Sequence, residues 1–508
     1  MANPVLGVSG SAPLSNPYLL ESRFLTRHGI IAGSTGTGKS RAMQLLAEQL
    51  ADDGVDVFVS DVKGDASGFC VEGKESARNE KAPFRPHAIK TNYWSASPEL
   101  ARMRFSLREI GPVLFSRLLE LNSTQESHLS LAFSYSRKNG IALGTIEDLL
   151  SVLDEMMENG ERGVSKSSVS VIERKLLSLQ ESGLDRMFGN PSVSLDDLKG
   201  MNVLNLSDSR QNMLVSIAPA FLLQKLFNEL PEVGDVETPK FAIFFDEAHY
   251  LFKDANKSLR DLIVTILKQI RSKGVSVFFV TQDVGDLPDE VLSQLGTKII
   301  FAQRTATAKG ETALRALSKS FPKSPDMDVA ETLKTLPPGT ALVTTLDSGG
   351  NQSKPEKVAM FAPATAMDVL EYKTLREETD PRLLRKYGGQ AEGAKPAAKK
   401  KPEAAQEMRK EKTTIAEKAE GRGAKAVKKG PSISDAVFSF LLKLLGFLLN
   451  AAGMLVGSAI VKPLQGLFKW LFRKPVRILY LLVFLLLLYI IFVNWALISK
   501  FLASLKFS

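Results

Sequence analysis

Short apolar runs alternate with stretches of helical spacing through the first 388 residues. His28-Gly29-Ile30-Ile31-Ala32 is one such run. A glycine-rich loop follows it, then Arg41–Leu50, where Met43, Leu46, Ala47 and Leu50 share a helical face. Val55–Val59 reads as a second strand and stops at Ser60-Asp61. Strand, helix and strand in that order predict parallel pairing in an α/β sheet. Strand signals disappear between residues 101 and 200. Leu114, Leu118, Leu119 and Leu121 have helical spacing, as do Leu149, Leu150, Leu153, Met156 and Met157. That stretch predicts a helical insertion between residues 1–100 and 201–388, the two parts of one core. Strands return at Val203–Leu206, Phe241–Phe245, Val275–Val280, Lys298–Phe301 and Ala341–Thr344. Such near-continuous apolar strands suit a sheet covered on both faces.

The pattern changes after residue 388. Residues 389–431 are Ala, Lys, Glu, Gly and Pro with few large apolar side chains, which predicts a charged flexible linker. Ile478–Ile498 carries no charge over 21 residues, 16 of them Leu, Ile, Val or Phe. As a helix it is about 31 Å long, close to the hydrocarbon thickness of a bilayer. We expect a transmembrane helix within 476–499. Lys462, Lys469, Arg473, Lys474 and Arg477 precede it, and Lys500 and Lys506 follow. The positive-inside rule then places the large N-terminal part in the cytoplasm, at the inner membrane. Leu444–Val461 is also uncharged but contains Gly446, Asn450, Gly453, Gly457 and Ser458. For 432–475 we expect an amphipathic or re-entrant juxtamembrane segment, with a spanning hairpin as the alternative.

Composition changes this picture in two ways. A single cysteine, Cys70, excludes an intramolecular disulfide framework and multi-cysteine metal sites. The formal net charge of +9 points first to nucleic acid. Sorted along the chain it does not: residues 1–388 carry 45 basic and 49 acidic side chains, residues 389–431 carry 12 and 6, and residues 432–508 carry 8 and 1. The positive charge therefore flanks the apolar span, where anionic lipid would meet it. The first ten residues have no basic and apolar leader pattern, so we expect no secretory signal.

The candidate chemistry lies in the acidic part. Gly33-Ser34-Thr35-Gly36-Thr37-Gly38-Lys39-Ser40 fits the phosphate-loop pattern G-x-x-x-x-G-K-[ST], after a strand and before a helix. Its backbone N–H groups would cradle phosphates, Lys39 would pair with β/γ-oxygens, and Ser40 would ligate Mg²⁺. Asp246 and Glu247 end the strand Phe241–Phe245. Asp246 would join the Mg²⁺ shell and Glu247 would polarise the attacking water; the alternative is a helix cap pair. Gln282 ends the next strand and would face the γ-phosphate. Arg304 and Arg271 are candidates for an arginine supplied to a neighbouring subunit's phosphates. Lys63 and Asp65 either approach the site or form a turn. Asp246-Glu247-Ala248-His249 spells a DEAH box, but no second helicase core follows.

Together these segments resemble the HerA–FtsK branch of P-loop ATPases, and most closely the bacterial YjgR-like, HerA-like group. The resemblance rests on Arg27-His28-Gly29, Gly33–Ser40, Asp61-Val62-Lys63-Gly64-Asp65 and Ser178-Leu179-Gln180. It continues through Phe244–His249, Ile270–Val275 and Gln294-Leu295-Gly296, covering roughly residues 20–365. It implies an additional-strand RecA-like ATPase core, ATP and Mg²⁺ as ligands, a homo-hexamer, and movement of a polymer, double-stranded DNA in the better-known relatives. It also favours Arg304 as the arginine finger. The membrane span is an addition to that family's basic tail. A nucleotide-switched membrane scaffold and a protein-transport ATPase with its own protein partner are the alternatives.

The topology has a direct check. Protease added to spheroplasts should leave the N-terminal part intact, and protease added to inverted vesicles should digest it. The opposite result would reverse the orientation.

Overall fold

The computed structural model describes residues 3–388 apart from 11–15, 96–98, 208–211, 254–256, 305–307 and 348. Met1–Pro396 forms one compact unit. The expected linker, juxtamembrane segment and membrane span lie outside the described residues. Among the described residues no helix is long and apolar enough to cross a membrane.

Among the described residues, one mixed sheet of twelve strands organises the unit. In chain order these are β1 Val5–Ser9, β2 Asn16–Leu19, β3 Gly29–Ala32, β4 Asp56–Asp61, β5 Thr91–Ser95, β6 Ala101–Arg102, β7 Met201–Asn205, β8 Phe241–Phe245, β9 Val275–Thr281, β10 Thr297–Ile300, β11 Thr340–Thr344 and β12 Glu356–Met360. Their spatial order is β2-β1-β12-β11-β10-β3-β9-β8-β4-β7-β5-β6. From β10 to β6 all neighbours run parallel. The β10–β11, β11–β12, β12–β1 and β1–β2 pairs are antiparallel. β9 lies between β3, which feeds the glycine loop, and β8, which ends just before Asp246.

Strand alternation sends side chains to two cores. Phe241, Ile243 and Phe245 join Val277 and Phe279 on one face. Ala242 and Phe244 join Phe278, Val280 and Ile31 on the other. Helix α1, Lys39–Asp52, covers the second face through Met43, Leu46 and Leu50. The first face meets α2 Leu107–Leu118, α3 Ser123–Lys138, α4 Ile146–Glu158, α5 Lys166–Glu181, α6 Asn212–Glu229, α7 His249–Lys253 and α8 Lys257–Ile270. Capping boxes at Asn122 and Thr145 start α3 and α4. The helices of the 101–200 stretch share one continuous core with the sheet.

His28 ties three elements together just before the loop strand. Its Nε2–H donates to the Leu267 carbonyl at 2.9 Å, and its Nδ1 accepts from the Val277 N–H at 3.2 Å. Burial, aided by nearby Arg271, pulls its pKa down to about 4, so it serves as a neutral strut.

Phe278 is fully buried and stacks on Phe244 with ring centroids 5.2 Å apart. Phe278→Ala should destabilise the unit by about 3–5 kcal/mol, read from urea unfolding followed by the fluorescence of buried Trp94.

Candidate active site

Parallel strands bring their C-terminal ends to one edge of the sheet, and the candidate residues leave from those ends. The glycine loop leaves β3, Lys63 and Asp65 follow β4, Asp246 and Glu247 follow β8, and Gln282 follows β9. Register aligns them in pairs: Ser60 lies opposite Phe245, and Ala32 opposite Thr281, two residues beyond Phe279, the partner of Phe245.

The loop is held from below. The Ser34 N–H donates to the Ala302 carbonyl at 2.9 Å, and Gly33 N–H to that of Thr281 at 3.3 Å. Phe301 packs under the loop so closely that a Cβ on Gly38 would meet its ring at 2.9 Å. Gly38 also has φ 125°, which side-chain-bearing residues rarely adopt. Thr37 Oγ1 donates to the Ser34 carbonyl at 2.7 Å. Buried Lys39 folds back onto the loop, its Nζ 2.6 Å from the Gly33 carbonyl and 3.3 Å from that of Ser34. Burial and the neighbouring Lys63 charge both lower its pKa.

Asp61, Asp65 and Asp246 converge behind Ser40, with carboxylate oxygens within 4.8 Å of one another. Their hydrogen bonds separate their roles. Asp61 accepts the N–H groups of Lys63, Gly64 and Ala66 at 3.1, 2.7 and 3.0 Å, so it organises the turn after β4. Asp65 accepts the Ser40 hydroxyl at 3.2 Å. Asp65 Oδ1 and Asp246 Oδ2 are buried with no hydrogen-bond donor. Burial raises the Asp246 carboxyl to about 7, and burial together with Asp65 raises Asp61 to about 6. Orphaned carboxylate oxygens beside a hydroxyl fit a hard divalent cation such as Mg²⁺. Ser40, Asp65 and Asp246 are the residues that would hold it.

Glu247 is buried and adopts φ 48°, a left-handed backbone that costs a non-glycine residue energy. Its Oε1 accepts from Gln282 Nε2 at 2.9 Å and contacts the Lys63 ammonium directly. Burial opposes its charge, but the hydrogen bonds from Lys63 and Gln282 and the Lys63 charge hold its pKa below the usual range. Oε2 faces His249 Nδ1 at 3.2 Å without a formed hydrogen bond. Thr35 Oγ1 donates to Gln282 Oε1 at 3.2 Å, linking this carboxylate back to the loop.

Two cavities flank the loop. One, of about 530 Å³, is lined by Thr35–Arg41 with Lys63 and Asp65 at one end. Its other wall comes from Arg78, Pro338, Gly339, Met360, Phe361 and Met367. Sequence reading missed that wall. Pro337-Pro338-Gly339 is legible as a turn, but nothing local says that it borders the loop. The Gly339 N–H donates to the Thr37 carbonyl at 2.8 Å, and Arg78 caps the carbonyls of Pro338 and Gly339. The second cavity, of about 560 Å³, is lined by Ser34, Thr35, Gln282 and Arg304. The Arg304 N–H donates to Ser34 Oγ at 2.8 Å, so Arg304 flanks its own loop. Arg271 is not brought to this edge. It precedes β9, at the opposite ends of the parallel strands, and pairs with Asp235 at 2.5 Å.

Glu48 fastens α1 to this wall. Its carboxylate accepts the N–H groups of Ala364 and Thr365 and the Thr365 hydroxyl at 2.6, 3.1 and 2.8 Å. Gln44, one turn earlier, donates to Thr365 Oγ1 and the Ala366 carbonyl.

The Helicase HerA-like C-terminal family matches residues 9–438. The DNA double-strand break repair helicase HerA of Sulfurisphaera tokodaii is 26% identical over 286 residues, covering 54% of this chain and 55% of that protein. The protein of the same name from Sulfolobus acidocaldarius is 24% identical over 283 residues, with the same shares. The chain thus spans about half the length of the curated relatives it matches. Among solved structures, VirB4 of Thermoanaerobacter pseudethanolicus gives a TM-score of 0.47 at 16% identity, over 71% of this chain and 98% of that one. The bacterial conjugative coupling protein TrwBdeltaN70, in its trigonal form with sulphate, gives 0.49 at 16% identity, over 72% and 92%.

Burial raises the Glu48 carboxyl to about 7, against an ordinary value of 4.5. A carboxyl whose pKa is raised on folding stabilises the folded state below its unfolded pKa. That contribution is lost as pH rises through the folded pKa. Between pH 4.5 and 7, Glu48 should therefore lower stability by up to about 1.4 kcal/mol per pH unit. Glu48→Gln should remove that slope, read from urea midpoints at pH 4.5, 6 and 7.5.

Proposed function

The chain belongs to the Helicase HerA-like C-terminal family, and from that premise we propose that it is an ATP-hydrolysing, membrane-anchored motor that moves a polymer. The observation that carries the reading is the meeting of three strand ends. The loop with Lys39 and Ser40, the orphaned oxygens of Asp65 and Asp246, and Glu247 paired with Gln282 all stand on one sheet edge. β9 between β3 and β8 supports an additional-strand RecA-like core.

ATP enters the cavity bordered by Thr35–Arg41, its phosphates on the loop and its nucleoside toward Met360 and Phe361. Lys39 leaves the Gly33 carbonyl for the β- and γ-oxygens. Ser40, Asp65 and Asp246 would hold Mg²⁺, which would supply charge neutralisation at the phosphates. Glu247 takes the proton of the attacking water, and Gln282 orients that water or reports the phosphate's departure through Thr35.

The relatives named as DNA double-strand break repair helicases favour double-stranded DNA as the polymer. The acidic balance of residues 1–388 restricts contact to a local channel rather than a coating surface. Ile478–Ile498 and its basic flank supply the membrane anchor, with the ATPase in the cytoplasm. A homo-hexameric ring completes the motor. Arg304 serves as the arginine supplied to the neighbouring subunit's phosphates, as the resemblance favours: it is exposed and borders the cavity beside the loop. Arg271 is the alternative; it lies at the far edge, paired with Asp235.

Lys39→Ala should abolish turnover, while Glu247→Gln should keep ATP binding and lose more than about a hundredfold in rate. Unimpaired hydrolysis by Glu247→Gln would refute the base assignment. Mixing Arg304→Ala with Lys39→Ala subunits should restore part of the activity; no rescue in any mixture, with assembly intact, would count against a trans role. Stimulation of ATP hydrolysis by duplex DNA tests the polymer.

A further inference from the structure

We propose that Lys63 is a latch on Glu247 that the terminal phosphate of the nucleotide opens. The inference rests on the ATP-hydrolysing reading of this site.

The Lys63 ammonium sits on Glu247 Oε1, the oxygen that also accepts from Gln282. The two partners differ in environment. The Glu247 side chain is 4% exposed, the Lys63 side chain 42%. Lys63 also lines the cavity that holds Lys39 and the loop. It thus belongs to both the buried base and the open phosphate site. Asp61 clamps the turn that carries it, so an exchange of partners falls to its side chain.

Both lysines at this cavity are engaged by the protein itself. Lys39 rests on the carbonyls of Gly33 and Ser34, and Lys63 rests on Glu247. Two ammonium groups bordering one cavity create a field that favours a polyanion between them. A phosphate oxygen is a stronger acceptor for Lys39 than a carbonyl, and it competes with Glu247 for Lys63.

The exchange changes what Glu247 can do. With Lys63 in place, its Oε1 is doubly occupied and its charge is neutralised. With Lys63 on the phosphate, Gln282 alone holds Oε1, and the charge returns to a buried carboxylate. The place Lys63 leaves on Oε1 is then open to water, while Oε2 stays buried facing His249 Nδ1 at 3.2 Å. The base is released only when a terminal phosphate is present, which suppresses idle activation of water. Lys63 acts on the base as a positioning residue and on the nucleotide as a reader of the γ-phosphate.

The test compares affinity of the full chain for ADP and for a non-hydrolysable ATP analogue, by competition with a fluorescent nucleotide. The wild type should prefer the analogue. Lys63→Met should lose about tenfold or more of that preference, the worth of a charge-assisted hydrogen bond, with ADP affinity unchanged. Lys63→Arg should keep most of it. Where the methionine variant unfolds, Lys63→Gln retains a donor in the buried contact and serves in its place. An unchanged preference, or equal loss for both nucleotides, would reduce Lys63 to a counter-ion of Glu247 and overturn the latch while leaving the ATPase reading intact. A wild-type chain that binds neither nucleotide would overturn both.

Discussion

Four carboxylates share one edge of the sheet in a place where water reaches them poorly. Each is neutralised, hydrogen-bonded or left wanting, and the difference assigns its work. Asp61 is satisfied by three backbone N–H groups and shapes a turn. Glu247 is held charged by Lys63 and Gln282. Asp65 and Asp246 keep buried oxygens without donors. A buried carboxylate oxygen without a partner is costly, so the pair fits best as half of a cation site. The parallel register of β3, β9, β8 and β4 brings their C-terminal ends to one edge, Ala32 opposite Thr281 and Ser60 opposite Phe245.

The rest of the fold serves that edge. The parallel strands carry the phosphate chemistry, and the antiparallel β10–β12 segment brings the opposite wall of the cavity. Phe301, just past β10, fills the space under Gly33 and Gly38 and so sets the height of the loop. Glu48 and Gln44 bind α1 to the backbone around Thr365. The helix that opens at Lys39 is therefore fixed at its start by Phe301 and near its middle by the wall it faces. His28 performs the matching task at the other end of β3, where its neutral ring links Leu267 and Val277.

What was legible along the chain was local. The loop Gly33–Ser40 and the pair Asp246-Glu247 each follow an apolar strand, and the main strands from β3 to β11 announced themselves by unbroken apolar runs. β12 did not, because Glu356-Lys357-Val358-Ala359-Met360 buries only alternate residues near the sheet's antiparallel side. β1, β2, β5 and β6 are short or polar and gave equally little signal. Asp61–Asp65 stood open between a turn and a site, and it is both: Asp61 builds the turn, while Lys63 and Asp65 leave it for the catalytic edge.

Chemistry that depends on a residue and its immediate neighbours was thus determined by the sequence alone: a glycine loop able to turn N–H groups inward, a lysine and hydroxyl at its end, acidic residues where a strand stops. The tertiary structure decided everything that depends on distance through space. It joined Arg78 to Gly339 across 261 positions of chain and Gln44 to Thr365 across 321. It put Arg304 beside its own loop and Arg271 at the opposite edge, though both are arginines near the end of an element. It placed Lys63 on Glu247. Sheet order sets these pairings, and sheet order is the outcome of packing two apolar faces at once, which no single segment encodes.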